Sequence, residues 1–129
     1  IASKFTAMAG ASAYFMAGAV TYSNEAKHDL LGVSWESLNQ YGAVSEQVAR
    51  EMAEGIRRVA GADYAIATTG IAGPTGGSAE KPVGTVWMAV ATPKGTTAIM
   101  RNSGTDRGQI ISRASAYAME LLLNELKRQ

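Results

Sequence analysis

One lysine near the start of a predicted helix is the residue best placed for acid–base chemistry. The stretch "YSNEAKHDLLG", residues 22–32, predicts a short helix with Ser23 or Asn24 as its N-cap and Gly32 at its end. Lys27 falls in the first turn, where the free N–H groups of the helix disfavour a cation and would lower its pKa. A lysine that is neutral near pH 7 can act as a general base, as in Ser-Lys hydrolases. The alternative is a solvated lysine balanced by neighbouring carboxylates, and spacing alone does not decide between them.

The second candidate is a long glycine-rich loop between two apolar runs. "TTGIAGPTGGSAEKPVG", residues 68–84, contains five glycines and two prolines. Glycines adopt positive φ and let backbone N–H groups approach an anion or a carbonyl oxygen. The loop lacks the Gly-Lys-Ser/Thr of a Walker loop and the spacing of dinucleotide folds, so a wide turn is the alternative. Lys81 precedes Pro82 and is therefore held extended, which stiffens the end of the loop.

An arginine and a tyrosine complete the polar candidates. Arg107 opens the last predicted helix within "GTDRGQ", where the helix dipole disfavours a cation, and this position indicates anion binding. The plainer interpretation is a solvated arginine paired with Asp106. Tyr22 ends the first predicted strand, where it could bind or stack on a ligand, or could be a half-buried strand residue.

The composition excludes several kinds of binding. Twelve Lys and Arg against eleven Asp and Glu leave a net charge of +1, which argues against a nucleic-acid partner. With no cysteine and one histidine, we expect no disulfide, no metal site built on thiolates or imidazoles, and a cytoplasmic location. No metal and no cofactor are expected. No apolar run approaches the roughly 20 residues that cross a bilayer, so no membrane partner is expected. Because "IASKFTAM" already has helical spacing, we expect one domain over residues 1–129, truncated at its N-terminus.

Hydrophobic periodicity predicts strands alternating with helices. The predicted strands are 14–23, 62–70, 83–92 and 96–103, with short helices at 24–32 and 34–42 and long ones at 45–61 and 106–127. Several helices separate the first two strands, which predicts a right-handed crossover between parallel strands. The expected fold is therefore a three-layer α/β/α domain with a mixed, mainly parallel sheet. Segments 22–27 and 68–77 would then meet at the carboxyl edge of the sheet, where ligands bind in such folds.

Four segments together resemble the CinA C-terminal domain family over essentially the whole chain. They are "GAVTYSNEAKHDLLGV", "YGAVSEQVAREMAEG", "ADYAIATTGIAGPTGGSAEKPVGTVW" and the "DR" before the last helix. These motifs are long and occur in a consistent order. The resemblance implies hydrolysis of the carboxamide of nicotinamide mononucleotide, giving nicotinic acid mononucleotide and ammonia, a step of pyridine-nucleotide salvage that needs no metal.

The resemblance also implies roles for individual residues. In that family a serine in an E-S-C-T-G-G-like motif is the nucleophile, and this serine is expected upstream of Ile1. Lys27 matches the family's base and Arg107 matches its supporting arginine. We expect the small-molecule nucleotide substrate to be held by Tyr22, Asn24, Thr69, Gly70, Ala72, Gly73, Gly76, Gly77 and Ser78.

One position departs from the family pattern and leaves a second function open. The family usually has Gly-Asp-Arg before the last helix, whereas Thr105 stands here where glycine is expected. The turn could therefore aim Arg107 differently. The alternative to an amidase is a catalytically silent module that binds a nucleotide-like ligand or a protein partner on the same fold. A homodimer is expected because small domains of this kind commonly self-associate.

Overall fold

The computed structural model describes residues 1–128, which form five α-helices and three β-strands. In chain order these are α1 (Ala2–Thr6), α2 (Asn24–Leu31), α3 (Trp35–Tyr41), α4 (Glu46–Ala60), β1 (Ala65–Gly70), β2 (Thr85–Thr92), β3 (Gly95–Asn102) and α5 (Arg107–Arg128). A 3-10 turn at Ala11–Ala13 follows α1. None of the helices in this range has both the length and the apolar character of a membrane span.

The sheet lies between two helical layers. Its strand order is β1-β2-β3, and the central strand β2 sends alternate side chains to opposite faces. Ala89 and Ala91 pack with α2 and α4 on one face. Met88 and Val90 pack with α5 on the other face. The prediction of an α/β domain with helices on both sides of the sheet is therefore confirmed.

The prediction of a mainly parallel sheet is wrong, because both strand pairs are antiparallel. The loop 71–84 returns β2 alongside β1, and a two-residue turn joins β2 to β3, so both connections are hairpins. The predicted first strand, 14–23, is not a strand. Within residues 1–128 it pairs with no other strand, and Val20 is 88% and Tyr22 84% exposed. The sheet formed within residues 1–128 contains β1, β2 and β3 alone, so the predicted parallel pair does not form.

A glycine contact fixes α2 against α4. Gly55 lies in the middle of α4, and a Cβ atom placed on it would lie only 1.9 Å from the carbonyl oxygen of Leu31, the last residue of α2. No side chain fits at that distance, so the two helices touch through backbone. This contact sets the position of the helix that carries Lys27.

We expect Gly55→Ala to destabilise the domain, although alanine normally favours a helix by roughly 1 kcal/mol over glycine. The added methyl group must push α2 away from α4, and overpacking of this kind costs about 3 kcal/mol. The midpoint of urea unfolding measures the change at constant m-value. Gly18→Ala is the control, because the nearest atoms to its Cβ would lie 3.7 Å away. A Gly55→Ala protein as stable as the control would contradict the close contact.

Candidate active site

Lys27 is buried in the first turn of α2, with only 7% of the residue exposed. The Ser23 hydroxyl accepts the Ala26 N–H at 3.0 Å and so caps the start of this helix, as the sequence predicted. The Nζ atom of Lys27 donates to the carbonyl oxygen of Thr21 at 2.8 Å. Among residues 1–128 no carboxylate forms an ion pair with Lys27. The solvated-lysine alternative is therefore wrong.

Burial lowers the pKa of Lys27, because removal of water penalises the charged ammonium more than the neutral amine. The sequence had pointed to the helix N-terminus, whereas desolvation is the cause given by the structure. A neutral amine can keep one N–H on the Thr21 oxygen while its lone pair accepts a proton. The geometry therefore suits a general base.

Arg107 joins three separate parts of the chain. Its Nη1 atom donates to the carbonyl oxygen of Gly73 at 2.6 Å, and its Nη2 atom donates to the Tyr22 hydroxyl at 3.2 Å. The Asp106 carboxylate instead accepts the N–H of Gln109 at 3.0 Å, at the start of α5. The predicted Arg107–Asp106 ion pair is thus absent within residues 1–128. The two segments predicted to share a site are brought together by this guanidinium group.

Thr105, the departure from the family pattern, does not turn Arg107 away from the loop. The preceding Gly104 has φ +105°, a left-handed conformation that favours glycine, and it makes the turn into α5. Thr105 itself is exposed. Arg107 still reaches Gly73 and Tyr22.

Two glycines of the loop allow it to pack closely against its own returning segment. A Cβ on Gly73 would lie 2.5 Å from the Val83 side chain, and one on Gly77 would lie 2.7 Å from the Val83 nitrogen. The close approach therefore brings the loop against its own returning segment. Several backbone N–H groups of the loop remain without a hydrogen-bond partner among residues 1–128, and those of Ala72, Gly73, Thr75 and Gly76 are among them. These N–H groups are available to a ligand.

A cavity of about 1630 Å³ connects the candidate groups. Its lining includes residues 13–22 and residues 60–73, together with residues of α2, α4 and α5. The volume exceeds the roughly 300 to 1,000 Å³ of a usual small-molecule pocket, so a ligand would fill only part of it. Nine of the eleven predicted site residues line the cavity: Tyr22, Asn24, Lys27, Thr69, Gly70, Ala72, Gly73, Gly76 and Arg107. Gly77 and Ser78 are not among its lining residues.

Comparison with known proteins identifies the family. The model of the CinA C-terminal domain matches residues 1–126. The chain belongs to the CinA C-terminal domain family. The resemblance noted in the sequence is thereby confirmed.

Relatives of this CinA domain include two curated enzymes and a solved structure. Nicotinamide-nucleotide amidohydrolase PncC of Enterobacter agglomerans is 54% identical over 127 residues, which are 97% of this chain and 77% of the relative. The protein of the same name from Escherichia coli K12 is 53% identical over 124 residues, covering 95% and 74%. A CinA superfamily protein from Klebsiella pneumoniae 700603 superposes with a TM-score of 0.94 at 38% identity, covering 99% of this chain and 80% of that one.

The CinA domain also contains site contacts that sequence reasoning missed. The partner of Lys27 is the backbone carbonyl of Thr21, and a carbonyl is present whatever the residue type. The Thr69 hydroxyl, predicted to face the substrate, donates to the carbonyl of Ala43 at 2.8 Å and anchors the end of β1. No pattern in the sequence could have revealed either bond, because both depend on tertiary contacts.

Proposed function

We propose that this CinA domain hydrolyses the carboxamide of nicotinamide mononucleotide to nicotinic acid mononucleotide and ammonia, with Lys27 as the general base. The observation that carries the proposal is a buried lysine, with a lowered pKa, on the wall of the cavity that Arg107 borders. The substrate class is supported by the relatives named nicotinamide-nucleotide amidohydrolase. Amide hydrolysis needs a proton acceptor of this kind to activate a nucleophile.

In the proposed reaction, a hydroxyl oxygen adds to the carboxamide carbon while the neutral amine of Lys27 takes the hydroxyl proton. The resulting ammonium returns that proton to the departing nitrogen, the C–N bond breaks and ammonia leaves. Water then attacks the ester by the same route, so Lys27 ends neutral and the hydroxyl is restored. We place the hydroxyl on a serine upstream of Ile1, and Ile1 itself lies on the cavity wall.

Arg107 and the glycine-rich loop would bind the negatively charged groups of the substrate. A guanidinium group has five N–H donors, and two nitrogen atoms of Arg107 already bind Gly73 and Tyr22. The other donors, together with the unpaired N–H groups of the loop, suit the phosphate or the oxyanion that forms during attack. Asn24, the first residue of α2, adds a further polar side chain to the lining of the cavity.

The test is ammonia release from nicotinamide mononucleotide by the full-length protein, with nicotinic acid mononucleotide identified by chromatography. We expect turnover without added metal and a much slower reaction with nicotinamide riboside, which lacks the phosphate. Equal rates with the nucleotide and with free nicotinamide would contradict a nucleotide-specific site.

The silent module is the alternative outcome of the same assay. It would bind nicotinamide mononucleotide, as measured by calorimetry, without releasing ammonia. Its one supporting feature was Thr105, and Arg107 reaches the loop despite that residue. The cytoplasmic location and the homodimer stay predictions of the sequence.

A further inference from the structure

The side chain of Lys81 leaves the glycine-rich loop and binds the end of α3. Its Nζ atom donates to the carbonyl oxygen of Tyr41, the last residue of that helix, at 2.6 Å. A lysine is favoured there because the last carbonyls of a helix lack partners and carry a partial negative charge. A Cβ on Gly42 would lie 3.2 Å from Nζ, so the glycine leaves room for the ammonium group.

The backbone of Lys81 closes a tight turn within the loop. Its N–H donates to the Ser78 hydroxyl at 3.0 Å, and its carbonyl accepts the Ser78 N–H at 2.9 Å. Pro82, whose φ angle is fixed by its ring, directly follows Lys81. Because the turn is closed on both sides, fixing the Lys81 side chain also fixes residues 78–81.

Two anchors of the site converge on the connection between α3 and α4. Lys81 binds the carbonyl of Tyr41 from the loop, and Thr69 binds the carbonyl of Ala43 from the end of β1. At the other end of the loop, Arg107 binds the carbonyl of Gly73. Residues 74–77, between the Gly73 and Lys81 attachments, are exposed. The shape of the loop therefore depends on a tether at each end.

We propose that Lys81 is a positioning residue that holds the glycine-rich loop in the conformation that binds substrate. This inference rests on the proposed function, because it assigns the loop to nicotinamide mononucleotide. Lys81 does not line the cavity, and its Nζ already binds a protein carbonyl, so it acts through the loop. Loss of the tether should weaken binding of the substrate without changing the proton transfer at Lys27, which lies on a different element.

We expect Lys81→Met to raise KM about tenfold, because loss of one partly exposed charge-assisted hydrogen bond weakens binding by about this factor. The kcat value and its pH profile should stay unchanged. Lys81→Arg should restore most of the affinity, because a guanidinium group can also donate to the Tyr41 carbonyl. Lys94→Met is the matched control, since Lys94 is exposed in the turn between β2 and β3.

Hydrogen exchange in the free full-length protein tests the tether without any substrate. In Lys81→Met the Ser78 amide should exchange about tenfold faster, because local opening exposes it. The Val90 amide in β2 should keep its rate, which excludes general destabilisation. If the wild-type protein proves inactive, the dissociation constant for nicotinamide mononucleotide replaces KM, and the exchange result still decides whether Lys81 holds the loop. Unchanged Ser78 exchange, unchanged substrate affinity, or a fall in kcat at constant KM would each overturn the proposal.

Discussion

Lys27→Met is expected to lower kcat for ammonia release by about 10²- to 10⁴-fold, the usual contribution of a general base. Methionine has a similar length and fills the buried space without a polar group, so the packing around α2 is kept. Steady-state release of ammonia by the full-length protein measures the effect, and circular dichroism checks that the variant is folded. Loss of less than about tenfold would remove Lys27 from proton transfer.

Lys27→Arg separates a base from a fixed positive charge. Arginine can still donate to the Thr21 carbonyl, but its guanidinium group keeps its proton at every pH at which the protein is folded. We therefore expect this variant to be as inactive as Lys27→Met. Substantial activity in the arginine variant would mean that Lys27 acts as a cation, and the assignment of the base would be wrong.

The pH dependence follows from the direction of the pKa shift. Because burial lowers the pKa of Lys27, the neutral base is present at a lower pH than for an exposed lysine, and kcat/KM should rise with pH up to that value. Stability should rise at higher pH than this, between the folded pKa and the higher unfolded pKa, where the unfolded chain binds more protons than the folded protein. Both trends should vanish in Lys27→Met, as pH-rate profiles and urea midpoints would show.

The helices and the type of each later strand were predictable because their signals are local. Ser23 and Ser45 cap α2 and α4, while Gly32 and Gly61 end them with positive φ, as the spacing of these residues indicates. The strands β1, β2 and β3 likewise follow from apolar runs bounded by turn residues. These features depend on residues within a few positions of one another.

The sheet topology was not predictable to the same degree. Residues 14–23 have a composition typical of a strand, but composition does not specify a partner, and the structure leaves this segment outside the sheet. The direction of pairing depends on which edges meet in space. The prediction of a parallel pair therefore failed although the type of each later strand was right.

The candidate site was predictable in its residue types and not in its contacts. Lys27 and Arg107 were candidate site residues because a positive charge is disfavoured at a helix N-terminus. What distinguishes Lys27 is its burial, and what distinguishes Arg107 is its bond to Tyr22, which lies 85 positions away in the chain. The sequence could not show that two carbonyl groups, those of Thr21 and Gly73, complete these contacts.

Arg107→Met should lower kcat/KM by about 10²-fold, within the usual range for loss of one donor to a developing oxyanion or to phosphate. The variant loses the positive charge at the cavity wall together with the bonds to Gly73 and Tyr22, so the loop and the segment before α2 are no longer joined. Arg107→Lys should recover little, because one ammonium group cannot span both partners in the fixed geometry of a guanidinium fork.

Two controls separate the charge of Arg107 from its contacts. Tyr22→Phe removes only the longer of the two Arg107 bonds, the one of 3.2 Å that the exposed Tyr22 hydroxyl accepts. We therefore expect at most a few-fold loss in kcat/KM. Arg113→Met removes another α5 arginine that also donates to a backbone carbonyl, that of Ser103, away from the cavity wall. Its kcat/KM should stay within about twofold of wild type, as for most changes away from a functional site. If kcat/KM fell equally in the Arg107 and Arg113 variants, the cause would be the charge or the stability of α5, because of these two residues only Arg107 borders the cavity.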